Sequence, residues 1–225
     1  MQEGGGPAVL AVPFRGTWRV ELSPARRVPS HGTHLFATTY GIDFVAVQGR
    51  RSATTRDWRT VLATERPDRF FGFGQPILAP CSGWVVRIHG GEPDHAARRS
   101  QLMLASYALT QAKRVRGGAG SVAGNHVILE REEGGYVVLA HLRSRSIRVE
   151  AGERVAAGLE VGQCGNSGNS TQPHLHIQVM DSPDPSTACG LPLAFRDYRV
   201  WPRAGGPPVA VRRGIPDEGE VVESL

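Results

Sequence analysis

The chain has 225 residues, of which 40% are hydrophobic and 21% are charged, with a net charge of +5 and a pI near 9.6. This composition excludes a disordered or membrane-spanning protein, and the length can bury the core of one or two globular domains. No long Lys/Arg run concentrates the basic charge. The charge would suit nucleic acid, acidic cell-wall polymers or an anionic membrane, and it identifies none of them. We expect no nucleic acid partner.

Two further features limit the class of protein. The longest early apolar run, Ala8 to Phe14, is too short for a transmembrane helix and lacks the basic start of a secretory signal, so we expect no transmembrane segment. Cys81, Cys164 and Cys189 show no Cys-x-x-Cys spacing. They therefore match neither a disulfide framework nor a zinc ribbon.

The first part of the chain is predicted to form short strands. Residues 1–28 read as an N-terminal edge segment of turns and edge strands. Ile42 to Val47 follows as an apolar strand interrupted by Asp43. A carboxylate in such a strand is costly unless a cation or a hydrogen-bond donor meets it. A metal ion or an arginine could supply that partner.

The rest of the chain predicts more strands and one helix. Apolar side chains at helical spacing predict an amphipathic helix at residues 100–116, inserted in a β protein. Short strands with turn signals between them are predicted at residues 83–88, 125–130, 136–142, 159–162, 174–180 and 191–200. This spacing is typical of a mainly β fold, a compact antiparallel and sandwich-like structure with a helical insertion.

Histidines on or beside these strands suggest a metal site. His174 and His176 are one residue apart on a predicted strand, so their side chains project to the same face. Such a pair could also be a surface feature or hydrogen-bonded core residues. Two histidines and a carboxylate are a recurring zinc ligand set, and a further histidine can accept a proton or stabilise an oxyanion. Without a His-Glu-x-x-His helix, any metallopeptidase must use histidine as its base.

Several segments, taken in order, resemble the lysostaphin-type, or LytM-like, zinc endopeptidases that cut peptide cross-links in bacterial peptidoglycan. The resemblance covers Ser30 to about Val179, and its last block is the most specific. The segments are His34 with Tyr40-Gly-Ile-Asp43-Phe, Pro76-Ile-Leu-Ala-Pro80 with Gly83-Trp-Val-Val, Gly124-Asn-His-Val-Ile-Leu129, Tyr136-Val-Val-Leu-Ala-His141-Leu, Gly152-Glu-Arg-Val155, and Gly162-Gln-Cys-Gly-Asn-Ser-Gly-Asn-Ser-Thr-Gln-Pro-His174-Leu-His176.

The resemblance implies a role for each polar position. It makes His34, Asp43 and His176 the ligands of one zinc ion per chain, and it makes His141 and His174 the catalytic pair beside the metal-bound water. It also implies a peptidase domain at residues 29–200, a tail at residues 201–225 that packs on or extends from it, and action on peptidoglycan peptides outside the cytoplasm. A catalytically inactive relative that binds cell wall or regulates another hydrolase is the alternative.

Two assignments are less direct. Many members place the first histidine four residues before the aspartate, where this chain has Thr39. A branch of the family has it further upstream, and on that pattern we favour His34 over His31 as the ligand. Asn125 and His126 lie near the expected groove and are candidate substrate-binding residues.

Overall fold

The computed structural model describes residues 6–54, 64–97 and 118–225. These residues form a mainly β structure, which confirms the predicted fold class. The predicted helix at residues 100–116 lies outside the described residues. The strands are β1 (Ala8–Ala11), β2 (Thr17–Leu22), β3 (Ile42–Ala46), β4 (Pro76–Leu78), β5 (Gly83–His89), β6 (Asn125–Arg131), β7 (Tyr136–Leu142), β8 (Arg154–Val155), β9 (Glu160–Gln163), β10 (Leu175–Met180), β11 (Gly190–Leu191), β12 (Leu193–Trp201), β13 (Val209–Gly214) and β14 (Val221–Ser224).

Three short helices complete the described structure. Leu35–Tyr40 and Pro67–Arg69 are 3-10 helices, and α1 (Gly118–Ala123) is an α-helix directly before β6. Within Leu35–Tyr40 the backbone of Phe36 and Ala37 is left-handed, with φ values of +56° and +61°. Both residues lie in the segment between His31 and Asp43, so the kink affects how the chain runs from one of these residues to the other.

A single curled sheet holds most of the strands. Its order is β1-β12-β14-β2-β3-β10-β7-β6-β5-β8, with β11 beside β10 and β13 beside β12, while β4 and β9 form a separate pair. Among these pairings only β1 and β12 run parallel. The inner face of the sheet buries the core, whose largest side chains include Trp18, Phe44, Leu139, Leu175 and Phe195. Burying a side chain of this size contributes about 1.5 to 3 kcal/mol.

The C-terminal tail is part of the sheet. β14 pairs with β12 on one side and with β2 on the other, with Val222 opposite Trp18. β2 is therefore an interior strand, although the sequence predicts an edge strand there. The difference arises because the many Pro and Gly residues of the tail indicate a loop, whereas the tail contains the strands β13 and β14.

Alternation along the strands places polar residues on one face. In β3 and β10, Ile42, Phe44, Leu175 and Ile177 point to the core. Asp43 and His176 are directly opposite each other in the register, so both project to the other face, which we call the cleft face. Asp43 and His176 therefore lie side by side on two interior strands of the sheet.

The three cysteines are not cross-linked. All three cysteines are free; Cys81 and Cys164 are buried and Cys189 is exposed. Burial raises the pKa of the Cys81 thiol to about 11, which keeps it protonated and unreactive.

In the described part of the chain, no helix has the length and apolar character needed to cross a membrane.

Candidate metal centre

Three side chains from distant parts of the sequence meet on the cleft face. The Nε2 atom of His31 lies 3.2 Å from both carboxylate oxygens of Asp43, and the Nδ1 atom of His176 lies 2.8 Å from Asp43 Oδ1. The potential ligand atoms of these three residues all lie within 4.8 Å of one another. Asp43 and His176 are buried and His31 is half-buried, so the cluster is largely shielded from solvent.

The hydrogen bonds of Ser30 determine which nitrogen of His31 carries the proton. The buried Ser30 hydroxyl donates to the carbonyl of Thr38 or Thr39, at 3.2 and 3.4 Å. It can then only accept from His31 Nδ1, which is 2.9 Å away. In neutral His31, Nδ1 is therefore protonated and the lone pair of Nε2 faces Asp43.

Gln178 orients His176 in the same way. The amide nitrogen of Gln178 donates to the carbonyl of Phe36 at 2.8 Å, so its Oε1 faces His176 Nε2, also at 2.8 Å. His176 Nε2 must donate to this oxygen and therefore carries a proton. The remaining nitrogen, Nδ1, is the one that faces Asp43.

The cluster has an excess of acceptors. Without a cation, one proton shared by His176 Nδ1 and Asp43 Oδ1 satisfies that contact. Burial alone lowers the pKa of His176, but its bonds to Asp43 outweigh burial and raise it. Burial alone raises the pKa of Asp43, yet His31 and the other neighbouring histidines hold it well below its usual range. The lone pair of His31 Nε2 still faces a carboxylate, so a metal cation fits this cluster better than one proton does.

His141 reaches the cleft face through a β-bulge. Val138 and Ala140 point to the cleft face, so strict alternation would place His141 in the core. Instead the register of β6 and β7 shifts between Asn125 and Val127, and His141 has a φ of +60°. Left-handed backbone at a residue other than glycine costs about 1 to 3 kcal/mol and is concentrated at functional sites. The bulge returns Leu142 to the core and turns His141 toward His174, with a ring-centroid distance of 4.5 Å.

His141 and His174 present the same nitrogen to the cleft. His141 Nδ1 lies 2.9 Å from the carbonyl of Ser167, and His174 Nδ1 lies 2.8 Å from the carbonyl of Gln172. A carbonyl only accepts, so both Nδ1 atoms are protonated and both Nε2 atoms keep a lone pair. His174 Nε2 is 3.7 Å from Asp43. Burial, with smaller contributions from neighbouring histidines, lowers the pKa of both rings, well below the usual value for His141.

The loop of residues 165–173 holds these two carbonyls in place. Asp94 accepts the Asn166 backbone N–H at 2.7 Å, and the Ser167 hydroxyl donates to the carbonyl of Leu142 at 2.9 Å. A Cβ atom on Gly168 would lie 2.4 Å from the nitrogen of Gly124, the residue between α1 and β6, so only glycine permits this contact. These contacts fix the loop beside both histidines.

Gly41 lies beneath the metal cluster. A Cβ atom there would lie 2.7 Å from His176 Cε1 and 3.2 Å from His31 Cε1. Any larger residue would displace two rings of the cluster. The sequence contains Gly41 in the Tyr-Gly-Ile-Asp segment, but only the structure shows which side chains it accommodates.

A cavity of about 310 Å³ opens beside the cluster. One wall is apolar and combines α1 with the cleft face of β7. His126 also lines the cavity and is only 4% exposed. Its Nδ1 donates to the carbonyl of Gly124 at 2.8 Å, and its Nε2 has no hydrogen-bond partner in the parts of the chain that the structure describes. Burial lowers its pKa, so His126 offers a neutral acceptor to the cavity.

Two predicted site residues lie elsewhere. His34 is exposed, lies outside the cluster and contacts Thr39 Oγ1 through Nδ1 at 3.0 Å. His31 takes the position expected of His34, whereas His34 lies at the N-cap of the Leu35–Tyr40 helix. Asn125 is fully buried, and its amide bonds to the backbone of Glu92 and Leu142 and not to the cavity.

Sequence reasoning did not assign Ser30 or Gln178. The sequence position of each residue could have indicated a supporting role beside a candidate ligand. Ser30 directly precedes His31, and Gln178 follows His176 by two residues on the same strand face. Their roles follow from the carbonyls of Thr38, Thr39 and Phe36, which fix the direction of each hydrogen bond.

Comparison with known proteins gives three relevant similarities. A segment of 74 residues is 32% identical to the peptidoglycan DD-endopeptidase ShyA of Vibrio cholerae serotype O1, covering 32% of this chain but only 17% of that protein. The catalytic domain of lysostaphin from Staphylococcus simulans is 24% identical, with coverage of 67% of this chain and 74% of that chain and a TM-score of 0.39. The catalytic domain of the prophage-encoded M23 protein EnpA from Enterococcus faecalis is 18% identical, with coverage of 84% and 92% and a TM-score of 0.40.

A family match extends over more than half of the chain. It begins after His31 and Asp43 and includes His141, His174 and His176. Because residues 68–187 match the sequence profile of this family, the chain belongs to peptidase family M23.

Proposed function

We propose that the protein is a zinc metalloendopeptidase that hydrolyses peptide cross-links of bacterial peptidoglycan outside the cytoplasm. The observation that carries this proposal is the convergence of acceptor atoms from His31, Asp43 and His176 beside two further histidines with available Nε2 lone pairs. The family and the similarity to a peptidoglycan endopeptidase support the substrate class.

The three converging residues would hold the zinc ion. Two imidazole nitrogens and one carboxylate oxygen form a ligand set that leaves a coordination position free for catalysis. Zinc bound there would lower the pKa of a water molecule and polarise the scissile carbonyl. His31 Nε2 and His176 Nδ1 already face the carboxylate, so binding a metal ion would require loss of the proton shared by His176 and Asp43 but little rearrangement of the side chains.

His141 and His174 would carry the proton transfers. Their low pKa values keep both rings neutral near pH 7, which is the form that accepts a proton from the attacking water. The carbonyls of Ser167 and Gln172 prevent the rings from turning Nδ1 toward the substrate. Once protonated, either ring can donate to the leaving amine or stabilise the oxyanion.

The cavity beside the metal cluster would receive the substrate. Its apolar wall of small side chains, Ala119, Val122, Ala123 and Ala140, suits a short apolar side chain next to the scissile bond. His126 Nε2 would accept a hydrogen bond from a peptide N–H, since no described residue bonds to it. This contact would position the peptide without joining the proton transfers.

The test is the release of soluble peptides from purified peptidoglycan sacculi by the full chain, with bound metal measured in parallel. We expect about one zinc per chain, release that stops with a chelator and returns with added zinc, and a higher KM with unchanged zinc content in His126→Ala. Bound zinc with no release from any sacculus preparation would contradict the enzymatic proposal and favour an inactive, wall-binding domain. Absence of zinc binding would contradict it more directly.

Gln178 should set the zinc affinity of the site. Gln178→Leu removes the acceptor that holds His176 Nε2, and loss of such a supporting contact typically lowers metal affinity by about 10- to 100-fold. Gln178→Glu keeps an acceptor at this position and should bind zinc nearly as well as the wild type. Competition with a fluorescent chelator measures the affinity, and the thermal unfolding of the metal-free proteins identifies any loss of folding. Equal zinc affinity in wild type and Gln178→Leu would exclude this role.

A further inference from the structure

A second concave surface lies on the part of the sheet completed by the tail. Trp201 on β12, Val221 on β14 and Arg19 on β2 are direct neighbours in the strand register, so their side chains share one face. Residues on either side of them in sequence, such as Trp18, Val200 and Val222, are buried in the core. Trp201 and Arg19 therefore project to the opposite face of the sheet, the cleft face, where they form the floor of a pocket of about 620 Å³.

Two turns form the rim of this pocket. Arg50 follows β3 and Arg203 follows β12, and Arg50 Nη2 donates to the Arg203 carbonyl at 3.3 Å. Arg19 Nη1 donates in turn to the Arg50 carbonyl at 3.1 Å. These bonds connect the two turns across the floor and hold the arginines at the same site. We call this surface the Arg-Trp pocket.

The charge of the Arg-Trp pocket is not neutralised. Arg19 is paired with Glu21. Within the described residues, neither Arg50 nor Arg203 has a carboxylate partner, and no acidic side chain lines the pocket. The nearby Glu223 is paired with Arg199 at 3.2 Å. Two exposed guanidinium groups thus remain available to an anion.

We propose that the Arg-Trp pocket binds a saccharide that carries an anionic group. The half-buried ring of Trp201 offers a flat apolar surface to the C–H face of a sugar ring, and guanidinium groups bind carboxylate or phosphate through paired hydrogen bonds. The volume suits one or two sugar rings. Binding of nucleic acid generally uses a longer basic stripe with many phosphate contacts, which two free arginines do not provide.

The pocket and the metal cluster share one face of the sheet. Arg19 is opposite Val45 on β3, and Val45 projects to the same face as Asp43 two residues before it. One extended polymer lying across this face could reach both sites. The pocket can nevertheless bind its ligand whether or not the chain is a peptidase.

The experiment measures binding of the full chain to purified sacculi in the presence of a chelator, so that no hydrolysis is required. One preparation keeps its phosphate-bearing wall polymers, a second has lost them after hydrofluoric acid treatment, and a third has its carboxylates amidated after the same treatment. Arg50→Gln with Arg203→Gln, and separately Trp201→Ala, should each weaken binding about tenfold, the scale expected for losing a charged hydrogen bond or a stacking contact. Loss of binding on acid treatment identifies phosphate, and loss only on amidation identifies carboxylate.

Arg212→Gln is the matched control, because Arg212 is exposed on β13 and does not line the pocket. It should bind like the wild type, and all variants should unfold at similar temperatures. Equal binding by the double arginine variant would overturn the proposal. So would equal loss in Arg212→Gln, or competition by DNA as effective as that by a soluble acidic disaccharide, since each would indicate nonspecific attraction to net charge.

Discussion

His31→Ala should abolish tight zinc binding, whereas His34→Ala should leave it unchanged. His31 Nε2 faces both oxygens of Asp43, and removing one of three ligands should weaken the site by more than about 100-fold. His34 is exposed and contacts only Thr39 through its ring. Metal content after dialysis against a zinc buffer measures the difference, and peptide release from sacculi should follow it.

The two histidines provide a matched pair for this test, since they lie three residues apart on the same segment and undergo the same substitution. Circular dichroism of both metal-free variants would show whether the sheet is retained. Zinc loss in His34→Ala with zinc retained in His31→Ala would contradict the ligand set proposed here and restore the assignment favoured from sequence.

His141→Ala and His174→Ala should keep the zinc but lose activity. Neither residue belongs to the group of converging ligand atoms, and both present Nε2 to the cleft from carbonyl-anchored rings. Removing a group that transfers a proton in the transition state typically lowers the rate by about 10²- to 10⁴-fold. Initial rates of peptide release at saturating sacculi, with zinc measured on the same samples, separate catalysis from metal binding.

His34→Ala is again the control, as an exposed histidine that should retain full activity. If either His141→Ala or His174→Ala released peptides at the wild-type rate, that residue would have no part in the proton transfers. Loss of zinc in either variant would instead assign it to metal binding.

The sequence predicted those parts of the site that local pattern determines. Alternation in residues 174–180 placed His174 and His176 beside each other, and the apolar surroundings of Asp43 indicated a buried carboxylate that needs a partner. These inferences succeeded because strand geometry fixes the direction of a side chain. The mainly β fold followed from the same short, regularly spaced strands.

Other features depended on contacts that no local pattern contains. Alternation alone places His141 in the core, and only the bulge at its left-handed backbone brings it to the cleft face. The segment that joins both His31 and His34 to Asp43 is kinked at Phe36 and Ala37, two residues that rarely adopt positive φ. Spacing to Asp43 could not reveal a change of direction within the intervening segment.

The position of β14 has a consequence for how the molecule assembles. β2 lies between β3 and a strand whose residues are roughly 200 positions later in the chain. Contacts of this separation give a high contact order, and closing such a long loop slows folding. Until β14 pairs with it, β2 has one edge without hydrogen-bond partners. β3, the strand that carries Asp43, is then paired with an edge strand. The order of the metal site thus depends on a strand that lies far from Asp43 in sequence.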